Sequence, residues 1–179
     1  MKLVKGFCLH GLYGITPNNL SNEILIERIE LALLHGLKIL QYRNKGKDVR
    51  NQVKQASAIK ILVITEDAIK QAEVQLRQNP DLLALVIANT NYNEGVLGIV
   101  AGRLKEIYSR PTFVMAVSED NIAKGSGRSI PSIPLGNLVL AARQSGLLIS
   151  GGGHDMAAGV SLEVDQLDTF REYLTKKIF

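Results

Sequence analysis

The sequence predicts an α/β protein of two parts: an N-terminal βαβ fragment packed with or next to a mixed-sheet α/β domain. Short apolar runs alternate with stretches of helical periodicity along most of the 179 residues, which is typical of α/β folds. Charge also divides the chain. Residues 1–64 contain ten Lys/Arg and four Asp/Glu, a net charge of +6, whereas residues 65–179 contain eleven and thirteen, a net charge of −2.

The composition excludes several classes of protein. The chain is 46% hydrophobic, 21% charged and 5% aromatic, which is the profile of a soluble globular protein and unlike a disordered or collagen-like one. Apolar runs stay below the roughly 18 residues of a membrane span, and the N-terminus lacks the apolar stretch of a secretory signal. The single cysteine, Cys8, leaves no intrachain disulfide. We therefore expect a cytoplasmic protein.

The N-terminal part shows the order of parallel βαβ units. An apolar run predicts a strand over 12–15, and Ser21 is placed to cap a helix that Gly36 ends. Three further elements follow in the pattern: a strand over 37–42, a helix over 48–59 and a short strand over 61–64. This succession is typical of a parallel sheet.

The remaining chain predicts a second α/β domain. Its apolar spacing predicts four helices, over 66–78, 95–108, 135–145 and 164–178. Continuous or alternating apolar runs predict four strands, over 82–88, 112–117, 122–129 and 157–162. The charge shift and the motifs below place the boundary near 61–65, so we predict domains at 1–62 and 65–179.

Gln41, Arg43 and Lys45 are the first candidate binding residues. They alternate through QYRNK at the end of a predicted strand, so their side chains face the same way. One amide and two cations suit a phosphate or pyrophosphate, and ligands of parallel α/β folds lie at the carboxyl ends of strands. The alternative is a solvated basic loop, which the spacing alone favours.

This region resembles thiamine phosphate synthase, a (β/α)-barrel family. The resemblance rests on GLYGIT, HGLK and LQYRNK, and on QASAIK in the next helix. It implies that Gln41, Arg43 and Lys45 hold the pyrophosphate of a pyrimidine substrate. An acid usually follows the family's first strand, where this chain has Pro17, and the resemblance ends near residue 60. Two or three strands cannot close a barrel, so we expect a remnant or graft and not a working synthase.

Glycine-rich segments of the second part form a further set of candidates. Lys124-Gly125-Ser126-Gly127-Arg128-Ser129 combines two cations and two hydroxyls on a backbone that glycine lets a ligand approach closely. Gly151-Gly152-Gly153-His154 adds a permissive loop and a donor that changes charge near neutral pH. The helix start at Gly95-Val96-Leu97-Gly98 is a third anion-facing element. A strand bulge and a tight turn are the structural alternatives for the first two, but together the three predict a binding cleft.

Residues from about 66 to 178 resemble the C-terminal DHH-associated domain of the RecJ family, the single-stranded-DNA-specific 5′–3′ exonucleases of the DHH phosphoesterase superfamily. The matching segments are NEGVLGIVAGRLKEIYSRPTFVMA, AKGSGRSIP and LLISGGGHDMAAGV, in which GGGH is the hallmark. In that family the domain grips nucleic acid opposite a catalytic domain. The resemblance implies phosphate or nucleotide contacts by Ser126, Arg128, Ser129, Gly152, Gly153 and His154, to which the charge of Lys124 adds. Asn93 stands where many members have His.

Neither resemblance supplies a complete catalytic centre. The exonuclease family holds its metal ions in a separate domain with a DHH triplet, and this sequence contains no Asp-His-His. Its histidines, His10, His35 and His154, lack metal-ligand spacing with acids. We therefore expect no catalytic residue, no metal site and no cofactor, with manganese or magnesium only if a separate catalytic domain is supplied. Cys8 has no activating partner and is expected to be inert.

Three functional classes stay open. They are a substrate-binding module for single-stranded nucleic acid or nucleotide phosphates, an enzyme related to thiamine phosphate synthase or completed as a nuclease by another chain, and a chimeric folded protein without a selected function. We favour the binding module. Its expected partners are single-stranded DNA or a nucleotide, bound weakly, and a second copy through the N-terminal fragment, but no membrane.

Overall fold

The computed structural model describes residues 12–18 and 20–178 of the chain. The sequence expectations for Cys8 and His10 concern residues outside these ranges. Within these ranges, no helix combines the length and the apolar character that crossing a membrane requires.

The chain divides into two compact units, Met1–Val63, called unit 1, and Ile64–Phe179, called unit 2. Each unit has a hydrophobic cluster of its own. The predicted division into residues 1–62 and 65–179 concerns the point at which the two family resemblances meet, and it stays a prediction.

Unit 1 contains a parallel βαβ arrangement. β1 (Leu12–Ile15) and β2 (Leu37–Gln41) pair in parallel, and α1 (Asn22–Leu34) connects them. The Ser21 hydroxyl accepts a hydrogen bond from the Ile24 amide at 3.4 Å, so Ser21 caps α1 as the sequence predicts. The predicted βαβ fragment is therefore confirmed.

α2 (Val49–Gln78) differs from the prediction. The sequence predicts a helix, a strand over 61–64 and a second helix, but the structure has one helix of 30 residues. The predicted strand is wrong because a short apolar run alone does not distinguish a strand from a buried helical turn. No glycine or proline interrupts this stretch. Buried positions recur along it every three or four residues, at Ile59, Leu62, Thr65, Ala68 and Ala72.

Unit 2 is built on a five-stranded mixed sheet, which confirms the predicted α/β class. Its strands are β3 (Leu85–Asn89), β4 (Thr112–Val117), β5 (Ile122–Arg128), β6 (Ser150–His154) and β7 (Ala157–Glu163). Besides the end of α2, its helices are α3 (Leu97–Tyr108), α4 (Leu135–Gln144) and α5 (Leu167–Ile178). The strand order is β3-β4-β5-β7-β6, with β3 and β4 parallel and the other pairs antiparallel.

The main core of unit 2 lies between the sheet and the pair α4 and α5. Phe113 and Phe170 are fully buried and meet edge to face, with ring centroids 5.1 Å apart. Met115 of β4 and Leu135 of α4 belong to the same cluster. α3 packs against β4 and β5, and its buried residues, among them Val100, lie outside that cluster. The sheet therefore has the main core on one face and α3 on part of the other.

Gly146 follows α4 with a φ of +80°, and Gly36 follows α1 with a φ of +90°, so the predicted end of α1 at Gly36 is confirmed. We predict that Gly146→Ala lowers the free energy of unfolding by about 1 kcal/mol, because a β-carbon is disfavoured in this left-handed conformation. Gly146→Asn should lose less, since asparagine tolerates the conformation better. Urea denaturation of both variants measures the difference, and wild-type stability of Gly146→Ala would contradict the prediction.

Candidate functional site

β5 presents two different faces because successive side chains of a strand alternate across the sheet. Ala123 and Gly127 are buried on the side of the main core. Lys124, Ser126 and Arg128 lie on the other side, and each keeps part of its surface exposed. The predicted strand over these residues is confirmed apart from its last position. The cations and the hydroxyl therefore lie in the middle of a sheet and not on a loop.

The pairing of neighbouring strands extends this surface across β7 and β6. Lys124 pairs with Ser161, which pairs in turn with Ser150. Residues paired in this way lie on the same side of a sheet. Two further rows follow the same register: Ser126, Gly159 and Gly152, then Arg128, Ala157 and His154. We call the nine residues of these three rows the open face.

Two glycines of β5 are required by the core. A β-carbon on Gly127 would lie 2.5 Å from Cε1 of Phe113 and 2.8 Å from Cδ2 of Leu135. Gly125 is restricted in the same way by Met115. Both glycines therefore make room for core side chains, and the expectation that they let a ligand approach stays a prediction.

Gly152 and Gly159 have a different setting on the open face. A β-carbon on Gly152 would meet no atom within 4 Å, and one on Gly159 would come near only the Gly125 carbonyl oxygen, at 3.9 Å. Both residues are exposed. Packing does not require glycine at either position, so the missing side chains leave a stretch of bare backbone that a ligand can approach.

The GGGH segment is part of a strand, although the sequence predicts a loop. Residues 150–154 form β6 at the edge of the sheet. The prediction is wrong because three successive glycines provide no apolar alternation to indicate a strand. Gly153 is exposed, but a β-carbon on it would come too close to the Ala157 carbonyl oxygen and would lie 2.5 Å from Cα of Ala158. A β-carbon on Gly136 of α4 would lie 2.9 Å from the Gly153 oxygen, so Gly153 belongs to the contact between β6 and α4.

Two cavities border the open face. One, of 280 Å³, is lined by Glu94 and Leu97 at the start of α3 together with Lys124. The other, of 480 Å³, lies between the first turn of α4, including Asn137, and His154. The exposed His154 therefore belongs both to the last row of the open face and to the lining of the second cavity.

The two permanent cations of the open face have different surroundings. Lys124 Nζ lies 3.9 Å from Oε1 of Glu94, and both side chains are more than half exposed. An exposed ion pair of this kind contributes about 0–1 kcal/mol, so an anionic ligand can compete with Glu94. Arg128 is half-buried, and its Nη1 donates to the Gly127 carbonyl at 2.9 Å. Its position is therefore more defined than that of Lys124.

Ser129 lies apart from the open face. It is fully buried, and its hydroxyl donates to the Ile133 carbonyl at 2.6 Å while its amide donates to the Met156 carbonyl at 3.0 Å. These hydrogen bonds fix the segment that follows β5 to the turn between β6 and β7 and to residue Ile133. The phosphate contact expected for Ser129 stays a prediction.

A polar cluster holds the turn before α3, and sequence reasoning missed it. The Asp67 carboxylate accepts hydrogen bonds at 2.9, 3.1 and 2.6 Å from Gln71, Asn89 and Tyr92. Burial, together with the hydrogen bond to Asp67, raises the pKa of Tyr92, so its hydroxyl stays protonated and keeps donating. Asn93 then caps the next turn with its side chain. These contacts join residues up to 25 positions apart, which no local motif indicates.

The candidates of unit 1 lie at the carboxyl ends of its two strands. Gln41 accepts a hydrogen bond from the Tyr13 hydroxyl. The Thr16 hydroxyl accepts one from the Arg43 amide at 2.8 Å, which joins the segments that follow β1 and β2. Gln41, Arg43 and Lys45 are all exposed. The structure therefore places them together on one exposed segment, and their pyrophosphate contact stays a prediction.

Gln55 is a buried polar residue of unit 1 that the sequence analysis does not identify. Its side chain is 4% exposed, and its Oε1 accepts hydrogen bonds from Tyr42 at 2.8 Å and Asn44 at 2.9 Å. Its Nε2 donates to Asn22 at 2.8 Å. Gln55 thus links the segment after β2 to the start of α1.

No group of three or more His, Cys, Asp or Glu side chains in the described part of the chain is arranged to hold a metal ion. The His35 ring nitrogen Nδ1 lies 2.7 Å from the Leu31 carbonyl oxygen in the last turn of α1. His154 and Asp155 are neighbours at the turn between β6 and β7.

Comparison with known proteins supports the resemblance of unit 2. Residues 79–178, more than half of the chain, match the family model of the DHHA1 domain. The single-stranded-DNA-specific exonuclease RecJ of Dickeya dadantii (strain 3937) is 42% identical over 102 residues, which cover 55% of this chain and 18% of that protein. A crystal structure of RecJ in complex with Mg²⁺ from Thermus thermophilus aligns with a TM-score of 0.48 and 27% identity, over 70% of this chain and 20% of that one. The resemblance to RecJ is confirmed, and this chain spans about a fifth of the RecJ length.

A shorter match supports the resemblance of the N-terminal part to thiamine phosphate synthase. Thiamine-phosphate synthase of Janthinobacterium sp. (strain Marseille) is 43% identical over 54 residues, which cover 30% of this chain and 26% of that protein. The likeness to that family is therefore partial. The expectation of a remnant, and of any ligand at Gln41, Arg43 and Lys45, stays a prediction.

We predict that Gly127→Ala lowers the free energy of unfolding by about 2 kcal/mol, because the added methyl group overpacks the core against Phe113 and Leu135. Gly152→Ala is the matched control: the same methyl group on the open face meets no atom within 4 Å and should change stability by less than about 0.5 kcal/mol. Urea denaturation of both variants measures the difference. Equal stabilities would contradict the assignment of the two glycines to opposite faces.

Proposed function

The chain belongs to the DHHA1 domain family, and we propose that its unit 2 is a substrate-binding module that holds single-stranded nucleic acid on the open face. The observation that supports this is the combination of Lys124 and Arg128 with Gly152 and Gly159, two glycines that packing does not require. The RecJ relatives are named single-stranded-DNA-specific exonucleases, and this name favours single-stranded nucleic acid as the ligand. Because the chain spans about a fifth of their length, we propose only binding for it and not the exonuclease activity. Another domain or chain would supply the metal ions and carboxylates that hydrolysis requires.

The open face offers the chemical groups that recognise a phosphodiester. The Arg128 guanidinium binds phosphate oxygens in a fork, and the Lys124 ammonium acts as a point charge. Hydroxyls of Ser126, Ser150 and Ser161 add neutral donors, which are common in contacts to phosphate and sugar. The bare backbone between the cations, at Gly152 and Gly159, leaves room for a sugar or a base.

The spacing of the cations suits a strand that carries several phosphates. Lys124 and Arg128 are four residues apart on β5, about 13 Å along the strand. This separation leaves room for the two cations to contact different phosphates of one strand, and we propose that they do so. Residues 65–179 have a net charge of −2, so within unit 2 this local pair and His154 are proposed to provide the attraction, and we expect weak binding.

We predict binding of a short labelled oligodeoxynucleotide by the full chain at low salt. With about three phosphate contacts on the open face, from Lys124, Arg128 and His154, the slope of log K against log salt concentration should be about −2, from the single-strand coefficient of 0.7 per phosphate contact. Fluorescence anisotropy across a salt series measures this slope. Absence of binding at about 20 mM salt and near-millimolar strand would contradict the proposal.

Arg128→Ala should weaken this binding about tenfold, because it removes a charge-assisted contact to phosphate. The slope should become shallower by about 0.7. Arg103→Ala is the matched control, since Arg103 is an exposed arginine of α3, five residues beyond Gly98 and so on the other flank of the helix. The two variants are measured in the same titration, and an equal effect of both would exclude a specific role for Arg128.

His154→Ala should weaken binding severalfold, because His154 is exposed on the open face and its ring offers hydrogen-bond donors to phosphate. The melting temperature should stay nearly unchanged, since the side chain is exposed. Fluorescence anisotropy and a melting curve measure the two effects. Wild-type binding combined with a lower melting temperature would indicate that His154 is structural.

A further inference from the structure

We propose that Gly98, in the first turn of α3, is a positioning residue for Arg128. This inference rests on the proposed function, because it concerns how the open face presents its half-buried cation to phosphate. Gly98 provides the space in which the guanidinium lies. A side chain at position 98 would displace Arg128 without disturbing the core.

The contact is close and involves the functional end of the arginine. A β-carbon on Gly98 would lie 2.6 Å from Nη2 of Arg128, 3.3 Å from Cζ and 3.5 Å from Nη1. The Nη1 group donates to the Gly127 carbonyl at 2.9 Å. The guanidinium is therefore held between the first turn of α3 and the backbone of its own strand.

Neither backbone conformation nor core packing explains glycine at this position. Gly98 is helical, and the positive-φ glycines among the described residues are Gly36 and Gly146. The three nearest atoms that a β-carbon would meet all belong to the Arg128 guanidinium. Since that group is the end of a long, flexible side chain, it can move aside at little cost to the fold. Glycine at 98 therefore serves the position of Arg128.

Gly102, one turn further along α3, shows the contrast. A β-carbon there would meet no atom within 4 Å outside the helix itself. Alanine is a better helix former than glycine, so a methyl group at either position favours the helical backbone. Only at position 98 does the same methyl group meet a residue of the open face.

The experiment compares Gly98→Ala, Gly102→Ala, Arg128→Ala and the double variant Gly98→Ala/Arg128→Ala in the full chain. Oligodeoxynucleotide affinity across a salt series is measured together with the melting temperature. We expect Gly98→Ala to weaken binding as Arg128→Ala does, by about tenfold, and to make the salt slope shallower by about 0.7. The double variant should be no weaker than Arg128→Ala. Gly102→Ala should bind like the wild type, and neither glycine variant should melt at a lower temperature.

The outcomes separate this inference from the proposed function. Wild-type binding by Gly98→Ala, when Arg128→Ala is weakened, would overturn the positioning role and leave the proposed function standing. An additive loss in the double variant would also overturn it, because Gly98 would then act independently of Arg128. Wild-type binding by Arg128→Ala would instead contradict the proposed function. If Gly98→Ala melts at a lower temperature, removal of the Arg128 side chain must restore it, and failure to do so would contradict the inference.

Discussion

The packing of Phe113 and Met115 against the backbone of β5 is the constraint on which unit 2 depends. Gly125 and Gly127 leave room for these two side chains, so α4 and α5 can approach the middle of the sheet. A strand must then direct Ser126, between these glycines, and Lys124 and Arg128, on either side of them, to the opposite surface. The polar, cationic character of the open face is therefore coupled to the glycine content of the core face. The same GSG segment packs against the core on one side and, in the proposed function, contacts nucleic acid on the other.

The start of α3 gives that surface its local organisation. Asp67 and Tyr92 fix the turn that leads into the helix, and Glu94 then lies within ion-pair distance of Lys124. One turn later Gly98 lies against the guanidinium of Arg128. The start of α3 thus positions both cations. The Glu94 carboxylate pairs with Lys124, and the absence of a side chain at Gly98 leaves space for Arg128. In the proposed function, this arrangement lets a unit of net negative charge attract an anion locally.

The sequence predicts correctly those strands and helices that local apolar periodicity and turn residues define. The strand over 112–117 has the predicted bounds because its apolar residues are continuous and flanked by clear breaks. The strand predicted over 61–64 is part of α2, since four apolar residues fit either structure until their neighbours show the helical period. Likewise, β6 gives no strand signal because three of its five residues are glycine. Composition identifies the candidate cations, whereas the contact between Gly98 and Arg128 joins residues 30 positions apart in the chain, so only the fold reveals it.

The most direct measurement is a map of amide chemical shifts in the full, ¹⁵N-labelled chain during titration with a short single-stranded oligodeoxynucleotide. The structure predicts that the largest changes occur along β5, β7 and β6 and in the first turn of α3, because these elements form and border the open face. Changes confined to the exposed basic segment of unit 1 at Arg43 and Lys45, or to the last turn of α5 at Lys176 and Lys177, would contradict the account. Either of these two contradicting results would show that general positive charge, and not the open face, attracts the oligodeoxynucleotide.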